Sequence, residues 1–256
     1  MLWALWLEYD GAGFHGWQRQ GGQLTVQAVL EAALSRLHAG RPVAVTVAGR
    51  TDAGVHAAGQ VALAPLPEGL DARRVRDALN FHMKPHAVAV VAAVPAPAGW
   101  NPRFSARQRF YLYRILNRRA RPALDLGRVW HVPVPLDVAA MQEGAALLLG
   151  RHDFTSFRAS ACQAKSPMKT LDRLDVVRAG EEIHVYAEAR SFLHHQVRNM
   201  VGTLRLVGDG SWPPSRVAAA LSARDRAAAG PTAPAEGLCL RHVAYDPPLF
   251  PSAAGL

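Results

Sequence analysis

The sequence predicts a mixed α/β fold of the α+β class, made of two similar halves. Strand-like runs are rich in β-branched and aromatic residues, whereas helical runs place apolar residues three and four positions apart behind a capping residue. These runs follow one another twice in the order β-α-β-β-α-β, which is the ferredoxin-like arrangement. Two such halves predict an extended mixed, mainly antiparallel sheet, with helices on one face and a central cleft.

The first half is expected to cover residues 1–100. Thr25 can cap its first helix and Gly40 can end it, and Asp71 can cap its second helix. Helices are predicted over residues 25–38 and 71–81. Strands are predicted over residues 2–8, 42–47, 60–64 and 87–94.

The second half is expected to cover residues 101–256, after a proline-rich stretch at 95–102. Gly150 and Gly208 can each end a helix, and Gly180 can join two strands. Helices are predicted over residues 137–149 and 196–207, with an additional helix over 215–221. Strands are predicted over residues 109–116, 170–177, 183–189 and 238–245. The repeat is one of architecture, since the two halves share no strong residue-by-residue pattern.

The charge of the chain favours a nucleic acid as its partner. The formal net charge is +9, and only Lys84, Lys165 and Lys169 among the 29 basic residues are lysines. Arginine binds phosphate in a fork and stacks on bases, which suits RNA. Codon bias would explain arginine in place of lysine, but it would not explain the surplus over acidic residues.

Neither a membrane nor an oxidising compartment is expected. No apolar run approaches the roughly 20 residues that cross a bilayer. The first residues lack the basic leader of a signal peptide, and Cys162 and Cys239 are the only two cysteines. A reduced, cytoplasmic protein is therefore predicted, although these two cysteines could also pair.

A loop between two predicted strands concentrates chemically active residues. It consists of Gly49-Arg50-Thr51-Asp52-Ala53-Gly54-Val55-His56. An ordinary turn would use the glycines for backbone freedom and the aspartate for a local hydrogen bond. A nucleophile or general base instead needs an accessible carboxylate, and a nearby arginine keeps that carboxylate ionised. Asp52 and His56 also suggest metal ligation, but no further ligand stands at suitable spacing.

Further runs along nearly the whole chain strengthen the functional interpretation. They are Glu8-Tyr9-Asp10-Gly11, Phe14, Gly16-Trp17-Gln18, Gln20, Arg103-Phe104-Ser105-Ala106, Tyr111-Leu112-Tyr113, Gly150-Arg151-His152-Asp153-Phe154-Thr155-Ser156-Phe157, Ser166-Pro167-Met168-Lys169-Thr170, His194-His195-Gln196-Val197-Arg198-Asn199-Met200-Val201-Gly202 and Pro234-Ala235-Glu236-Gly237-Leu238. Together with the 49–56 loop, in this order and spacing, they make the chain resemble the TruA family of tRNA pseudouridine synthases.

The resemblance implies an enzyme that isomerises uridine to pseudouridine at positions 38, 39 and 40 of the tRNA anticodon stem-loop. It implies a homodimer with tRNA lying across both subunits, and neither a cofactor nor a metal. Asp52 matches the catalytic aspartate of the family and would attack a flipped-out uridine, at the base or at the ribose anomeric carbon. Arg50, two residues away, would fill the vacated space or hold a phosphate.

Two further substrate-binding residues are implied by the same resemblance. Tyr111 would stack on the target base, and its hydroxyl could help to remove the proton from C5. Tyr113 faces the same side of the strand, so the two roles could be exchanged, although a structural role is expected for Tyr113. Arg198 would pair with Asp52 and keep it charged. His194 and His195 are interpreted as a helix cap or as RNA contacts.

The sequence departs from the family pattern at two places, and alternative functions are considered beside the implied one. Met83-Lys84-Pro85-His86-Ala87 and Asn101-Pro102 differ from the usual family residues, which affects the expected RNA-binding surface and not the reaction. A non-catalytic RNA-binding protein or chaperone on the same fold would share the charge and the fold. A pseudouridine synthase with another RNA target is a second alternative. A metal-dependent nuclease would need clustered carboxylates, which the sequence does not show.

Overall fold

The computed structural model describes residues 1–250, and the chain divides into two compact units. Within the described residues, the first unit comprises Met1–Arg109 and residues 240–250, and the second comprises Phe110–Cys239. The division into folding domains 1–100 and 101–256 stays a prediction, since compactness alone does not define an independently folding domain.

Eleven strands and five α-helices make up the regular structure of the described residues. The strands are β1 (Leu2–Tyr9), β2 (Thr46–Val47), β3 (His56–Pro65), β4 (Val88–Pro95), β5 (Gln108–Leu116), β6 (Trp130–His131), β7 (Gly150–Asp153), β8 (Met168–Leu171), β9 (Arg173–Ala179), β10 (Glu182–Ala189) and β11 (Leu238–Ala244). The helices are α1 (Val26–Leu37), α2 (Ala72–Met83), α3 (Val138–Ala146), α4 (Gln196–Gly208) and α5 (Ser215–Ala223).

In the first unit, β1 is a central strand that pairs antiparallel with both β3 and β4. The short strand β2 pairs antiparallel with β3, and β11 is also a neighbour of β3. The order β4-β1-β3-β2 is the one that a ferredoxin-like β-α-β-β-α-β unit adopts. This arrangement places the 49–56 loop between the adjacent strands β2 and β3.

Local capping and apolar burial explain the two helices of the first unit. The Thr25 hydroxyl accepts a hydrogen bond from the Ala28 N–H, and the Asp71 carboxylate accepts one from the Arg74 N–H. Leu30, Leu34 and Leu79 on the inner faces of the helices are completely buried. Each such leucine stabilises the fold by about 1.5–3 kcal/mol relative to an exposed one.

The second unit is built on β5, β10 and β9, which are neighbours in that order. Strands β10 and β9 form an antiparallel hairpin, whereas β6 pairs parallel with β5. Strands β7 and β8 form a separate antiparallel pair. Helix α3 packs against β9 and α4, and the Asp137 carboxylate caps its start by accepting the Ala140 N–H.

The predicted α/β fold class is confirmed, but most predicted elements differ in their bounds, and β3 begins at His56, four residues before the predicted strand at 60–64. Only Thr46–Val47 of the predicted 42–47 strand is paired, because the Val45 N–H donates to the Glu31 carboxylate instead (3.3 Å). The predicted strand at 170–177 is divided into β8 and β9. At the break, Asp172 donates its N–H to the Glu188 carbonyl (2.8 Å).

Helix α3 is shorter than predicted. It ends at Ala146, three residues before the predicted end at 149. The chain then turns, with the Leu148 N–H donating to the Ala145 carbonyl (3.0 Å), and Leu148 is completely buried. Apolar periodicity continues through such a turn, which is why the pattern alone predicts a longer helix.

None of the helices in residues 1–250 combines the length and the apolar character that a bilayer span requires. Cys162 is a free cysteine.

Candidate active site

The 49–56 loop presents Asp52 on a tight turn. The Val55 N–H donates to the Asp52 carbonyl (3.1 Å), which closes the turn around the carboxylate. Asp52 is half-buried and Arg50 is exposed. Main-chain pairing with β3 continues up to the loop, since the Ala48 N–H donates to the Val61 carbonyl (2.8 Å). The loop is therefore anchored at its base and accessible near Asp52.

The segment that follows β1 packs directly against this loop. The Trp17 N–H donates to the Thr51 carbonyl (3.0 Å), and the Gly54 N–H donates to the Phe14 carbonyl (3.2 Å). Gly16 has φ +85°, and a Cβ there would lie 2.8 Å from the Thr51 oxygen. Any larger residue would push the two segments apart, which explains glycine at this position.

A buried polar network holds the loop from below. Gln60 in β3 is completely buried and donates through Nε2 to the Gly49 carbonyl (2.7 Å) and to the Tyr9 hydroxyl (3.2 Å). Because the Tyr9 oxygen accepts from Gln60, its proton is available to donate to Thr51 Oγ1, 2.8 Å away. Buried polar groups are costly unless they are hydrogen-bonded, so this network favours one conformation of the loop.

His56 ends the loop and is buried. Its Nδ1 lies 3.0 Å from the Gly11 N–H nitrogen and 3.1 Å from Asp10 Oδ1. One ring nitrogen cannot accept and donate at once, so Nδ1 accepts from Gly11 when it carries no hydrogen and donates to Asp10 when it carries one. In either state Nδ1 is engaged by the first unit. The histidine that the sequence also suggested as a metal ligand therefore contributes to the packing of the loop.

Arg109, at the start of β5, anchors the other side of the loop. This buried arginine donates through Nη2 to the Ala48 carbonyl (2.6 Å) and to the Arg103 carbonyl (3.0 Å). Hydrogen bonds from a charged donor are stronger than neutral ones. A single guanidinium thus ties the base of the Asp52 loop to the turn at residues 101–105.

The two tyrosines of β5 have different environments in the second unit. Tyr113 is completely buried, its hydroxyl donates to the Pro234 carbonyl (2.8 Å), and its ring meets Trp130 edge-on. Burial raises the pKa of the Tyr113 hydroxyl well above its usual value. Tyr111 is half-buried and meets the Phe192 ring edge-on, with centroids 5.3 Å apart. Tyr113 therefore serves the core, which leaves Tyr111 as the more accessible ring.

Arg198 lies near the start of α4 and is hydrogen-bonded to a neighbouring segment of the second unit. Its Nε donates to the Ala233 carbonyl (2.8 Å), and the Ala233 N–H donates to the Arg198 carbonyl (3.1 Å). Gly202 allows this approach, because a Cβ there would lie 1.8 Å from the Pro231 oxygen. An arginine on a buried helix was expected to have a hydrogen-bond partner, and the Ala233 carbonyl is one such partner of Arg198.

Asn199 secures the same segment from the next position of α4. Its side-chain nitrogen donates to the Phe157 carbonyl (2.9 Å), and its Oδ1 accepts from the Thr232 hydroxyl (2.6 Å) and the Arg226 guanidinium (3.2 Å). Asn199 is completely buried, so these bonds satisfy an otherwise costly amide.

Asp52 and Arg50 lie in the first unit, and Tyr111 and Arg198 lie in the second. Sequence reasoning assigned no role to the supporting residues Gln60, Tyr9, Arg109 and Asn199. Gln60 had a detectable signal, since a lone amide within an otherwise apolar strand requires a buried partner. Tyr9 and Asn199 stand in runs that carry the family resemblance, whereas Arg109 gave no comparable signal.

The chain matches the family described as tRNA pseudouridine synthase over residues 6–105 and 145–246. It belongs to this family. Pseudouridine synthases are isomerases, and the predicted enzyme class is confirmed.

Curated relatives match the chain over nearly its full length. The chain is 69% identical to tRNA pseudouridine synthase A of Acidiphilium cryptum over 250 residues, covering 97% of this chain and 98% of the relative. The protein of the same name from Paramagnetospirillum magneticum is 63% identical over 242 residues, covering 94% of both chains. That from Gluconobacter oxydans is 54% identical over 245 residues, covering 95% of this chain and 89% of the relative.

Proposed function

We propose that this enzyme converts uridine to pseudouridine at positions 38, 39 and 40 of the tRNA anticodon stem-loop. Asp52 is the catalytic carboxylate, and Arg50, Tyr111 and Arg198 are substrate-binding residues. The enzyme uses no cofactor or metal, acts as a homodimer and works in the cytoplasm. The full-length similarity to proteins named tRNA pseudouridine synthase A supports the tRNA substrate.

One observation carries the assignment of Asp52. Asp52 is half-buried on a loop whose Gly49 carbonyl accepts from buried Gln60 and whose Thr51 hydroxyl is hydrogen-bonded to Tyr9. A nucleophile that is held in place before the substrate binds avoids part of the entropic cost of reaching the reactive geometry. A simple surface turn has no need of a buried amide and two hydroxyl groups beneath it.

The proposed chemistry requires the target uridine to leave its base stack, which costs a few kcal/mol. Asp52 attacks the flipped nucleotide, at the base or at the ribose anomeric carbon, and the glycosidic bond breaks. The uracil turns, C5 forms the new bond to the ribose as the Asp52 carboxylate is released, and the loss of the C5 proton is matched by protonation of N1. Tyr111 stacks on the base, and its hydroxyl is suited to assist this proton transfer.

Positive charge supplies the proposed affinity for RNA. The net charge is +9, and almost all of it comes from arginine. Phosphate contacts release counterions, so the affinity for tRNA is expected to fall steeply as salt rises. A flat response to salt would contradict a broad basic footprint.

The direct test is the release of tritium from 5-tritiated uridine in unmodified tRNA transcripts. Wild type is expected to release tritium, and Asp52→Asn is expected to be slower by on the order of 10³-fold or more, with nearly unchanged tRNA affinity. Asp77→Asn is a matched control, because Asp77 is an exposed aspartate on α2 that pairs only with neighbouring arginines in the described contacts. It should retain full activity.

Each outcome of this test has a distinct meaning. Turnover that survives in Asp52→Asn would remove Asp52 from its catalytic role. No release by wild type, with tight tRNA binding, would favour a binding-only protein. Inhibition by a chelator that added metal reverses would overturn the cofactor-free mechanism.

A further inference from the structure

Phe104 is a large aromatic side chain that is exposed to solvent. It is 75% exposed, although the adjacent Pro102 and Ala106 are buried. It lies in the 101–105 turn, between β4 and β5. An exposed phenylalanine does not contribute the stabilisation that its burial would give. The packing of this unit therefore does not explain why a phenylalanine stands at this position.

The turn that carries Phe104 is ordered by its own polar groups. Asn101 Oδ1 accepts the N–H groups of Arg103 (2.9 Å) and Phe104 (3.2 Å). The Ser105 N–H donates to the Asn101 carbonyl (2.9 Å), and the Asn101 N–H donates to Ser105 Oγ (3.1 Å). These bonds form without the Phe104 ring, so the ring is presented by the turn and does not stabilise it.

Two core residues fasten this turn to the first unit. The buried Tyr245 hydroxyl donates to the Pro102 carbonyl (2.8 Å), and the Trp100 ring packs 5.1 Å from the Tyr245 ring. Arg109 donates to the Arg103 carbonyl and, through the same nitrogen, to the Ala48 carbonyl at the base of the Asp52 loop. The Phe104 turn and the Asp52 loop are therefore positioned by one buried guanidinium.

The surroundings of the ring are cationic. The Arg103 guanidinium lies 5.8 Å from the centroid of the Phe104 ring, and Arg103 itself is exposed. A flat ring beside an arginine matches the chemistry of a nucleotide, because a base can stack on the ring while its phosphate meets the cation. An apolar protein partner would favour apolar residues beside Phe104, where the chain instead has Arg103 and Ser105.

We propose that Phe104 is a second RNA-binding element, on which an unpaired base of the substrate RNA stacks while Arg103 contacts the phosphate backbone. The inference rests on the proposed RNA substrate but not on the catalytic role of Asp52. The shared anchor at Arg109 keeps the stacked base in a constant position relative to the Asp52 loop. Phe104 thus helps to fix the register of the RNA on the first unit.

The test measures the dissociation constant for an unmodified tRNA transcript, with all variants in the Asp52→Asn background to prevent turnover. Phe104→Ala is expected to weaken binding by roughly 5- to 150-fold, the range measured for the loss of one stacked base. Phe104→Trp should bind tRNA with the affinity of the parent. Phe104→Leu should bind as weakly as Phe104→Ala, since leucine retains apolar area but has no ring. Unchanged melting temperatures would show that the turn remains folded.

A matched control separates stacking at this site from general surface apolarity. Phe81 is also a phenylalanine of the first unit and is 68% exposed, on α2. Phe81→Ala should bind tRNA as the parent does, and an equal loss there would overturn the proposal. Wild-type affinity in Phe104→Ala, or full affinity in Phe104→Leu, would overturn it as well.

The dependence of binding on salt distinguishes the two side chains. Phe104→Ala should lower the affinity without changing the salt slope, because no phosphate contact is lost. Arg103→Ala should reduce that slope by about one unit. An unchanged slope in Arg103→Ala would remove the phosphate contact. Because binding is measured directly, these results stand even if the enzyme released no tritium from tRNA.

Discussion

The Asp52 loop and the 230–237 segment are held in different ways. In the first unit, the side chains of Gln60, Tyr9 and Thr51 form a network beneath the loop. In the second unit, side chains from β5 and α4 donate mainly to the main-chain carbonyls of Pro234 and Ala233, with a side-chain contact from Thr232 to Asn199. A side-chain network depends on the identity of every member, whereas a carbonyl acceptor is present whatever residue supplies it.

After Asp52→Asn, the largest expected effect concerns the two tyrosines of β5. Tyr111→Ala should lower the rate of tritium release by on the order of 10²-fold, because a stacking surface for the base is lost. Tyr113→Phe should leave the rate unchanged and lower the free energy of unfolding by about 1–3 kcal/mol, because the Pro234 carbonyl loses its donor. Single-turnover rates and urea denaturation measure the two effects.

The Tyr111→Phe variant then separates the two possible roles of Tyr111. A small loss relative to Tyr111→Ala would indicate stacking alone, whereas a loss of roughly 10²- to 10⁴-fold would indicate proton transfer by the hydroxyl. A large loss of turnover in Tyr113→Phe, with normal stability, would exchange the roles assigned to the two residues.

A smaller effect is expected for Gln60→Leu, which removes the centre of the network under the Asp52 loop. It should lower the free energy of unfolding by about 2–4 kcal/mol, since the Gly49 carbonyl and the Tyr9 hydroxyl lose a buried donor. The rate of tritium release at saturating tRNA should fall roughly 10- to 100-fold, because the carboxylate is less well positioned. KM should change little.

Gln23→Leu is the matched control for that substitution, since Gln23 is an exposed glutamine of the same unit. It should change neither the stability nor the rate. A stable Gln60→Leu enzyme with full activity would show that the network does not position Asp52.

The smallest effect is expected for Pro234→Ala. The carbonyl that accepts the Tyr113 hydroxyl is retained, so the free energy of unfolding should fall by no more than about 1 kcal/mol. The measurement is a comparison of the thermal unfolding of Pro234→Ala with that of Tyr113→Phe. A larger loss in Pro234→Ala than in Tyr113→Phe would contradict the view that only the carbonyl of residue 234 matters.

Much of the fold follows from short stretches of sequence. The starts of α1, α2 and α3 were predictable because Thr25, Asp71 and Asp137 each accept a hydrogen bond from the N–H three residues later. The end of α3 and the division between β8 and β9 were not, since they depend on the burial of Leu148 and on the contact of Asp172 with Glu188.

The candidate site shows the same division. The residues from Gly49 to His56 could be recognised because the chemistry is concentrated in one continuous loop. The support of that loop could not be recognised, since Tyr9 lies 42 residues from Thr51 and Gln60 lies 51 residues from Tyr9. No local pattern indicates which buried hydroxyl a distant amide will meet.

The sequence by itself determined the order of the five helices and most strands, the helix caps at Thr25 and Asp71, the positive charge and the family, because each depends on residues that are adjacent or at fixed spacing. Only the tertiary structure decided that Tyr113 is buried while Tyr111 is more accessible, and that Phe104 is held in solvent. The physical reason is distance along the chain: the hydroxyl of Tyr113 meets a carbonyl 121 residues away, and that of Tyr245 meets one 143 residues away.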